Sequence, residues 1–195
     1  KNPVVHIEAG LRSNDKYSPF PEEMNRQLIS RMADYHFVPT ESAKQHLNKE
    51  GIFNNVFVVG NTVVDTLKMF QSKFNVDEDD QYRSFLINEG VDFSKKLALV
   101  TLHRRESFGE PLEDCCDAIV DLAKRYMDFQ FVFPVHFNPT IQKTIRNKLE
   151  SLSNVCLMDP MTYPYFIYLM DACRIVLTDS GGIQEEAPSL GKPVI

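Results

Sequence analysis

Short apolar runs of strand length alternate along this chain with stretches that carry helical spacing. The first run is Pro3 to Glu8. A loop from Ala9 to Phe20 follows. Pro21 suits the first position of a helix running to about Ala33, with Glu22 and Glu23 in its first turn. Tyr35-His36-Phe37-Val38 predicts a second strand. Thr40 then caps a helix through Glu50, and Gly51 stops it. Asn55 to Val59 predicts a third strand, ended by Gly60-Asn61, and helical pattern resumes at Val63.

From Gln71 to Lys96 the chain turns polar and charged, which predicts a domain boundary there, with Asp77-Glu78-Asp79-Asp80 as the solvated start of a helix. A second series follows. Leu97 to Leu102 predicts a strand and His103 to Glu110 a polar loop. Leu112, Cys116, Ile119, Leu122 and Ala123 then share one helix face. Phe129 to Val135, Val155 to Met158 and Arg174 to Leu177 predict strands. Thr140 to Leu152, with a basic outer face, and Tyr163 to Ala172 predict helices. A last helix stops near Gly191, and Pro193-Val194-Ile195 starts a further strand. This alternation predicts an α/β fold of βαβ units, with parallel sheets covered by helices on both faces. A chain that opens on a strand and closes inside one is expected to be a fragment cut at both ends.

Composition narrows the function classes. Hydrophobic residues make up 43% and charged residues 25% of the 195, so one large or two smaller packed domains are expected. A net charge of −6 disfavours nucleic-acid and anionic-membrane partners, so any phosphate must be met locally. No apolar run approaches the ~18 residues of a membrane span, and Lys1-Asn2-Pro3-Val4-Val5-His6 does not resemble a signal peptide. Cys115, Cys116, Cys156 and Cys173 form no Cys-x-x-Cys pair and lie in apolar elements. They read as reduced, buried thiols of a cytoplasmic protein. The histidines show no metal-ligand spacing, so neither a metal nor a cofactor is expected.

Ligands of open α/β sheets sit beyond the carboxyl ends of the strands. Polar residues collect there: Glu8 and Arg12, then Glu22, His103-Arg104-Arg105, His136 with Asn138, and Asp159. The apolar run ending in Thr178-Asp179 leads into Ser180-Gly181-Gly182 and a helix. That is a backbone cradle for a phosphate, or an ordinary strand-to-helix turn. Glu22 and Glu23 are either dipole-favoured residues of a first turn or chemistry. His103, kept neutral by Arg104 and Arg105, suits general acid–base work. Glu186 either faces solvent or accepts the two hydroxyls of a ribose, and Tyr165 and Phe166 either fill core or stack on a base.

Six blocks in order carry a resemblance over essentially the whole chain. They are His6-Ile7-Glu8-Ala9-Gly10-Leu11-Arg12, Pro21-Glu22-Glu23-Met24-Asn25-Arg26, Gly60-Asn61-Thr62-Val63-Val64-Asp65, Thr101-Leu102-His103-Arg104-Arg105-Glu106-Ser107-Phe108-Gly109, Pro134-Val135-His136-Phe137-Asn138-Pro139 and Asp179-Ser180-Gly181-Gly182-Ile183-Gln184-Glu185-Glu186-Ala187-Pro188. Together they resemble the non-hydrolysing UDP-N-acetylglucosamine 2-epimerases.

The resemblance implies a glycosyltransferase-B-like architecture, two Rossmann-like domains facing a cleft. Residues 1–61 would be the second half of the first domain and 62–195 most of the UDP-binding second domain. It implies interconversion of UDP-N-acetylglucosamine and UDP-N-acetylmannosamine through a 2-acetamidoglucal, for cell-surface polysaccharide, by a homodimer when full length. Glu8, Glu22 and His103 would be catalytic, with a further carboxylate upstream. Ser180, Gly181 and Gly182 would hold the diphosphate, Glu186 the ribose and Phe166 the uracil side. Arg104, Arg105 and His136 would also touch substrate. Met161 departs from the polar residue the family pattern favours after Asp159-Pro160. Bacterial members of the family can be regulated by substrate at a second site. Three other readings share the fold: a UDP-sugar glycosyltransferase, a hydrolysing epimerase, and a UDP-sugar sensor without turnover. The His103-Arg104-Arg105-Glu106-Ser107 block argues against the hydrolysing branch.

Overall fold

The computed structural model describes residues 2–72, 76–102 and 109–195, the side chains of 76–79 excepted. It divides into two compact units, Lys1–Thr66 and Leu67–Ile195. The first holds β1 (Val5–Ile7), α1 (Glu22–Met32), β2 (Tyr35–Val38), α2 (Glu41–Lys49) and β3 (Val56–Val58). Helix α3 (Thr62–Gln71) runs across the division. The second unit holds α4 (Val76–Asn88), β4 (Lys96–Thr101), α5 (Glu110–Arg125), β5 (Phe129–Pro134), α6 (Pro139–Leu149), β6 (Val155–Met158), α7 (Tyr163–Ala172), β7 (Ile175–Thr178) and α8 (Gly181–Ser189). Each unit has a parallel sheet flanked by helices, as the alternating pattern predicts.

In the first unit the strands lie in chain order, β1-β2-β3. Thr40 caps α2 by accepting the Ala43 N–H at 3.1 Å, and Gly51 follows the helix with φ +80°. Pro21 is the N-cap of α1, one position before the expected one. The core is small, built on Ala9, Val38, Ala43 and Leu47.

The second sheet runs β6-β5-β4-β7. Its strands alternate between two cores with the period of two that a pleated strand imposes. Leu97, Leu99, Val132, Cys156, Met158 and Val176 point to the face covered by α4, α7 and α8. Ala98, Val100, Phe131 and Phe133 point to the face covered by α5 and α6. Both faces are buried, so β4 reads as an unbroken apolar run.

The polar stretch from Gln71 to Lys96 is not a domain boundary. Leu86 and Val91 are buried in the second unit's core, with Phe85 and Phe93 packed against it. Each fully buried side chain of this kind stabilises by about 1.5–3 kcal/mol. The described part of this stretch therefore packs into the second unit. The thiols are free; Cys116, Cys156 and Cys173 are buried, whereas Cys115 is only half-buried. Burial pushes the Cys116 thiol up to about 11, which makes it a poor nucleophile at neutral pH. No described helix is long and apolar enough to cross a membrane.

Candidate functional site

Strand order fixes where a ligand fits in the second unit. From β4 the chain moves outward through β5 to β6, and α7 then brings β7 back to the other edge of β4. The crevice beyond the carboxyl ends of β4 and β7 is therefore the topological switch point of this sheet. Thr101 and Thr178 end the two strands in register. Their hydroxyl oxygens lie 2.6 Å apart. The Ser180 N–H donates to Thr178 Oγ1 at 3.0 Å, and the Asp179 N–H to the Thr101 carbonyl at 3.2 Å. This small network sets the turn that launches α8. The two threonines were not singled out by the sequence, where they are merely the last residues of apolar runs.

Ser180 is the N-cap of α8, but its hydroxyl makes no capping hydrogen bond, and the first turn contains no acidic residue. By contrast α1 and α5 each carry two glutamates in the first turn. No side-chain acid or cap on α8 therefore offsets the partial positive charge at its start. Gly182 does not have a left-handed φ, and a Cβ added there would meet only Ser180 Oγ, at 4.0 Å. Neither backbone shape nor crowding by the described residues calls for glycine at this position. Glycine inside a helix costs about 1 kcal/mol relative to alanine.

A pocket of about 230 Å³ opens at the same end of the sheet, lined by Thr101, Leu102, Pro134, His136, Pro160, Met161, Phe166 and Ile183. It joins two sequence candidates, His136 and Phe166. The Asn138 N–H donates to His136 Nδ1 at 3.2 Å, so a neutral His136 carries its proton on Nε2 as a donor. Phe166 is half-buried and packs against the core while lining the pocket. Met161, the departure from the family pattern, lies in the same wall and makes it more apolar.

Glu186 does not face solvent. It is 9% exposed and accepts a hydrogen bond from Tyr163 Oη at 3.2 Å. Tyr163, absent from the sequence candidates, stacks edge-on against Phe70. Burial raises the Glu186 pKa and the neighbouring Glu185 adds to it, while the Tyr163 bond opposes them. A carboxyl whose folded pKa lies above its unfolded value adds stability below the unfolded pKa and loses it as pH rises through the folded one. Wild-type Tm is therefore expected to fall as pH rises above the ordinary glutamate range. Glu186→Gln should remove that component of the slope. Thermal melts of both proteins as a function of pH check it, and parallel curves would refute the assignment.

In the first unit Glu8 follows β1 directly and is exposed, with φ +61°. A left-handed glutamate is strained by about 1–3 kcal/mol, unlike the asparagines that share this region. The residues after it hold it there. The buried Ala9 donates its N–H to the Phe37 carbonyl at 2.9 Å. Gly10, at φ +85°, lies so close to α2 that a Cβ would sit 2.3 Å from the Ala43 carbonyl oxygen. The Arg12 side chain is 1% exposed and grips both Glu50 carboxylate oxygens, the Ser30 hydroxyl and the Leu11 carbonyl.

Glu22 is exposed in the first turn of α1, whereas Glu23 beside it is wholly buried. Both lie in the first turn of α1, where the helix dipole favours acids, but only Glu23 is also held by packing. His103, Arg104 and Arg105 lie outside the described residues. Glu8 and Glu22 belong to the first unit, and His136, Phe166, Ser180, Gly181, Gly182 and Glu186 to the second.

The whole chain, residues 1–195, matches the family model described as UDP-N-acetylglucosamine 2-epimerase. The UDP-N-acetylglucosamine 2-epimerases of Yersinia pestis and Escherichia coli K12 are each 48% identical over 196 residues, which cover 99% of this chain and 52% of the relative. A crystal structure of UDP-GlcNAc 2-epimerase from Neisseria meningitidis bound to UDP-GlcNAc superposes with a TM-score of 0.89. It is 46% identical, covering 99% of this chain and 52% of that one. The chain thus spans about half the length of the curated relatives it matches. On the six sequence blocks, the two parallel sheets and these similarities, the chain belongs to the UDP-N-acetylglucosamine 2-epimerase family.

Proposed function

We propose that this chain is part of a non-hydrolysing epimerase that interconverts UDP-N-acetylglucosamine and UDP-N-acetylmannosamine. The C2 proton is not adjacent to a carbonyl, so simple deprotonation is unfavourable. Elimination avoids that problem. A base takes the C2 proton, the C1–O bond breaks, and UDP leaves with the bonding electrons to give a 2-acetamidoglucal. Re-addition delivers a proton to the opposite face of C2, and the UDP oxygen bonds again to C1. Departing UDP carries the developing charge, so its stabilisation is the largest demand on the protein.

The observation that carries this reading is the start of α8. Its first turn has no acid and no side-chain cap, and Gly182 leaves open space above it. That arrangement fits a diphosphate held by backbone N–H groups without a metal or cofactor. In this reading Ser180, Gly181 and Gly182 hold the diphosphate, Phe166 lies beside the uracil, and Glu186 accepts ribose hydroxyls. His136 donates from Nε2, and Arg104 and Arg105 add charge. Glu8, Glu22 and His103 handle the C2 proton. The two Rossmann-like domains divide at 61/62 in this reading. The full-length protein works as a cytoplasmic homodimer that supplies precursors of cell-surface polysaccharide.

The test uses the full-length protein carrying this sequence, incubated with UDP-N-acetylglucosamine in deuterated water. NMR should show deuterium at C2 together with UDP-N-acetylmannosamine. Free N-acetylmannosamine and UDP as end products would instead indicate the hydrolysing reaction. Sugar transfer to an added acceptor without C2 exchange would indicate a glycosyltransferase.

A further inference from the structure

The first unit contains a buried carboxylate that the reaction scheme leaves unused. Glu23 is 0% exposed although it lies in the first turn of α1, next to Glu22. Its Oε2 accepts the Ser13 N–H at 3.0 Å, and its Oε1 accepts the Gln27 side-chain amide at 3.0 Å. Arg26 approaches Oε2 at 3.7 Å. Burial works to raise the Glu23 pKa. The hydrogen bonds from Ser13 and Gln27 and the charge of Arg12 outweigh it, so the group stays ionised.

Ser13 ends the loop that Glu8 begins. Along that loop the chain is fastened at Ala9 to β2 and at Gly10 against α2, and His46 Nδ1 lies 2.9 Å from the Gly10 carbonyl oxygen. Arg12 ties it to Ser30 on α1 and to Glu50 just after α2. Glu23 supplies the last fastening, and it does so from the residue adjacent to Glu22. A single ionised side chain therefore joins the end of the Glu8 loop to the first turn that presents Glu22.

We propose that Glu23 is a positioning residue, whose buried carboxylate clamps the Glu8–Ser13 loop to the start of α1 and so fixes Glu8 and Glu22 for proton transfer. The inference rests on the catalytic reading of those two glutamates. The hydrogen-bond partners of Glu23 are all donors. An amide in its place must turn an N–H₂ group toward one of them and leave that donor opposed. Transfer of a proton is sensitive to sub-ångström placement, and a misplacement of about 1 Å costs on the order of 100-fold.

The experiment compares Glu23→Gln with Glu22→Gln and wild type in the full-length protein, with active molecules counted by stoichiometric UDP binding. Folded Glu23→Gln should lose about 100-fold in kcat, with KM and UDP affinity unchanged. A purely structural role would instead lower Tm and the number of UDP-binding molecules, while those that remain turn over at the wild-type rate. That result overturns the inference. If Glu23→Gln does not fold, Gln27→Met on the exposed side of the clamp replaces it. It should show a smaller loss confined to kcat, and wild-type kcat there overturns the inference too. If Glu22→Gln loses turnover while Glu23→Gln keeps it, only the positioning role is wrong. If Glu22→Gln keeps full turnover, the catalytic reading itself fails and the positioning role with it.

Discussion

Glu22→Gln is expected to lower kcat by about 10²–10⁴-fold while moving stability by no more than about 1 kcal/mol. The two numbers come from different roles of one side chain. Glu22 is exposed in the first turn of α1, where its charge interacts with the helix dipole through solvent. Removing that charge costs the fold little. In the proposed reaction the same carboxylate handles a proton at C2, and an amide cannot. Glu8 offers a second arm with a different stability signature. It sits at φ +61°, where glutamate is strained and glycine is not. Glu8→Gly is therefore expected to hold or slightly raise Tm while also losing turnover. Melting curves and steady-state rates measured on the same preparations separate the two effects. Variants that turn over at the wild-type rate would remove both glutamates from the mechanism.

Gly182→Ala is the second large effect, and stability and binding should move in opposite directions. Among the described residues outside its own helix backbone, a Cβ at 182 meets only Ser180 Oγ, at 4.0 Å, so the methyl group has room there. Alanine is also the better helix former by about 1 kcal/mol, so the variant should melt at an equal or higher temperature. The same methyl group would stand over the first turn of α8, where the proposal seats the diphosphate. Losing one hydrogen bond to a charged group costs about 1.5–3 kcal/mol, or about tenfold or more in UDP affinity. Calorimetric titration with UDP measures it. Wild-type affinity in a folded Gly182→Ala protein would move the diphosphate away from this turn.

Most of the elements could be read directly along the chain, and the reason is local. Apolar spacing of two or about 3.6 residues is set by the backbone itself, so β2, β6 and α7 appear at the expected residues. Thr40 capping α2 and Gly51 ending it are equally local. The strand-end residues were legible because polar side chains directly after buried strands have few structural reasons to be there. The boundary expected at Gln71 to Lys96 failed because composition averages over both faces of a helix. Leu86 and Val91, with Phe85 and Phe93 packed beside them, carry that stretch into the core.

The sequence by itself therefore determined the α/β class, the order of the elements, the family blocks and the list of residues able to do chemistry. Tertiary structure decided what depends on pairing between distant segments. The strand order β6-β5-β4-β7 brings Thr101 to Thr178 and makes the turn before α8 a switch point. No periodicity encodes that order. Glu22 and Glu23 are identical neighbours in the sequence, yet one is exposed and the other wholly buried against Ser13 and Gln27. The burial of Glu186 and its bond to Tyr163, 23 residues away, follow the same rule. A charged side chain's environment is fixed by what packs over it, and that is known only once the chain has folded.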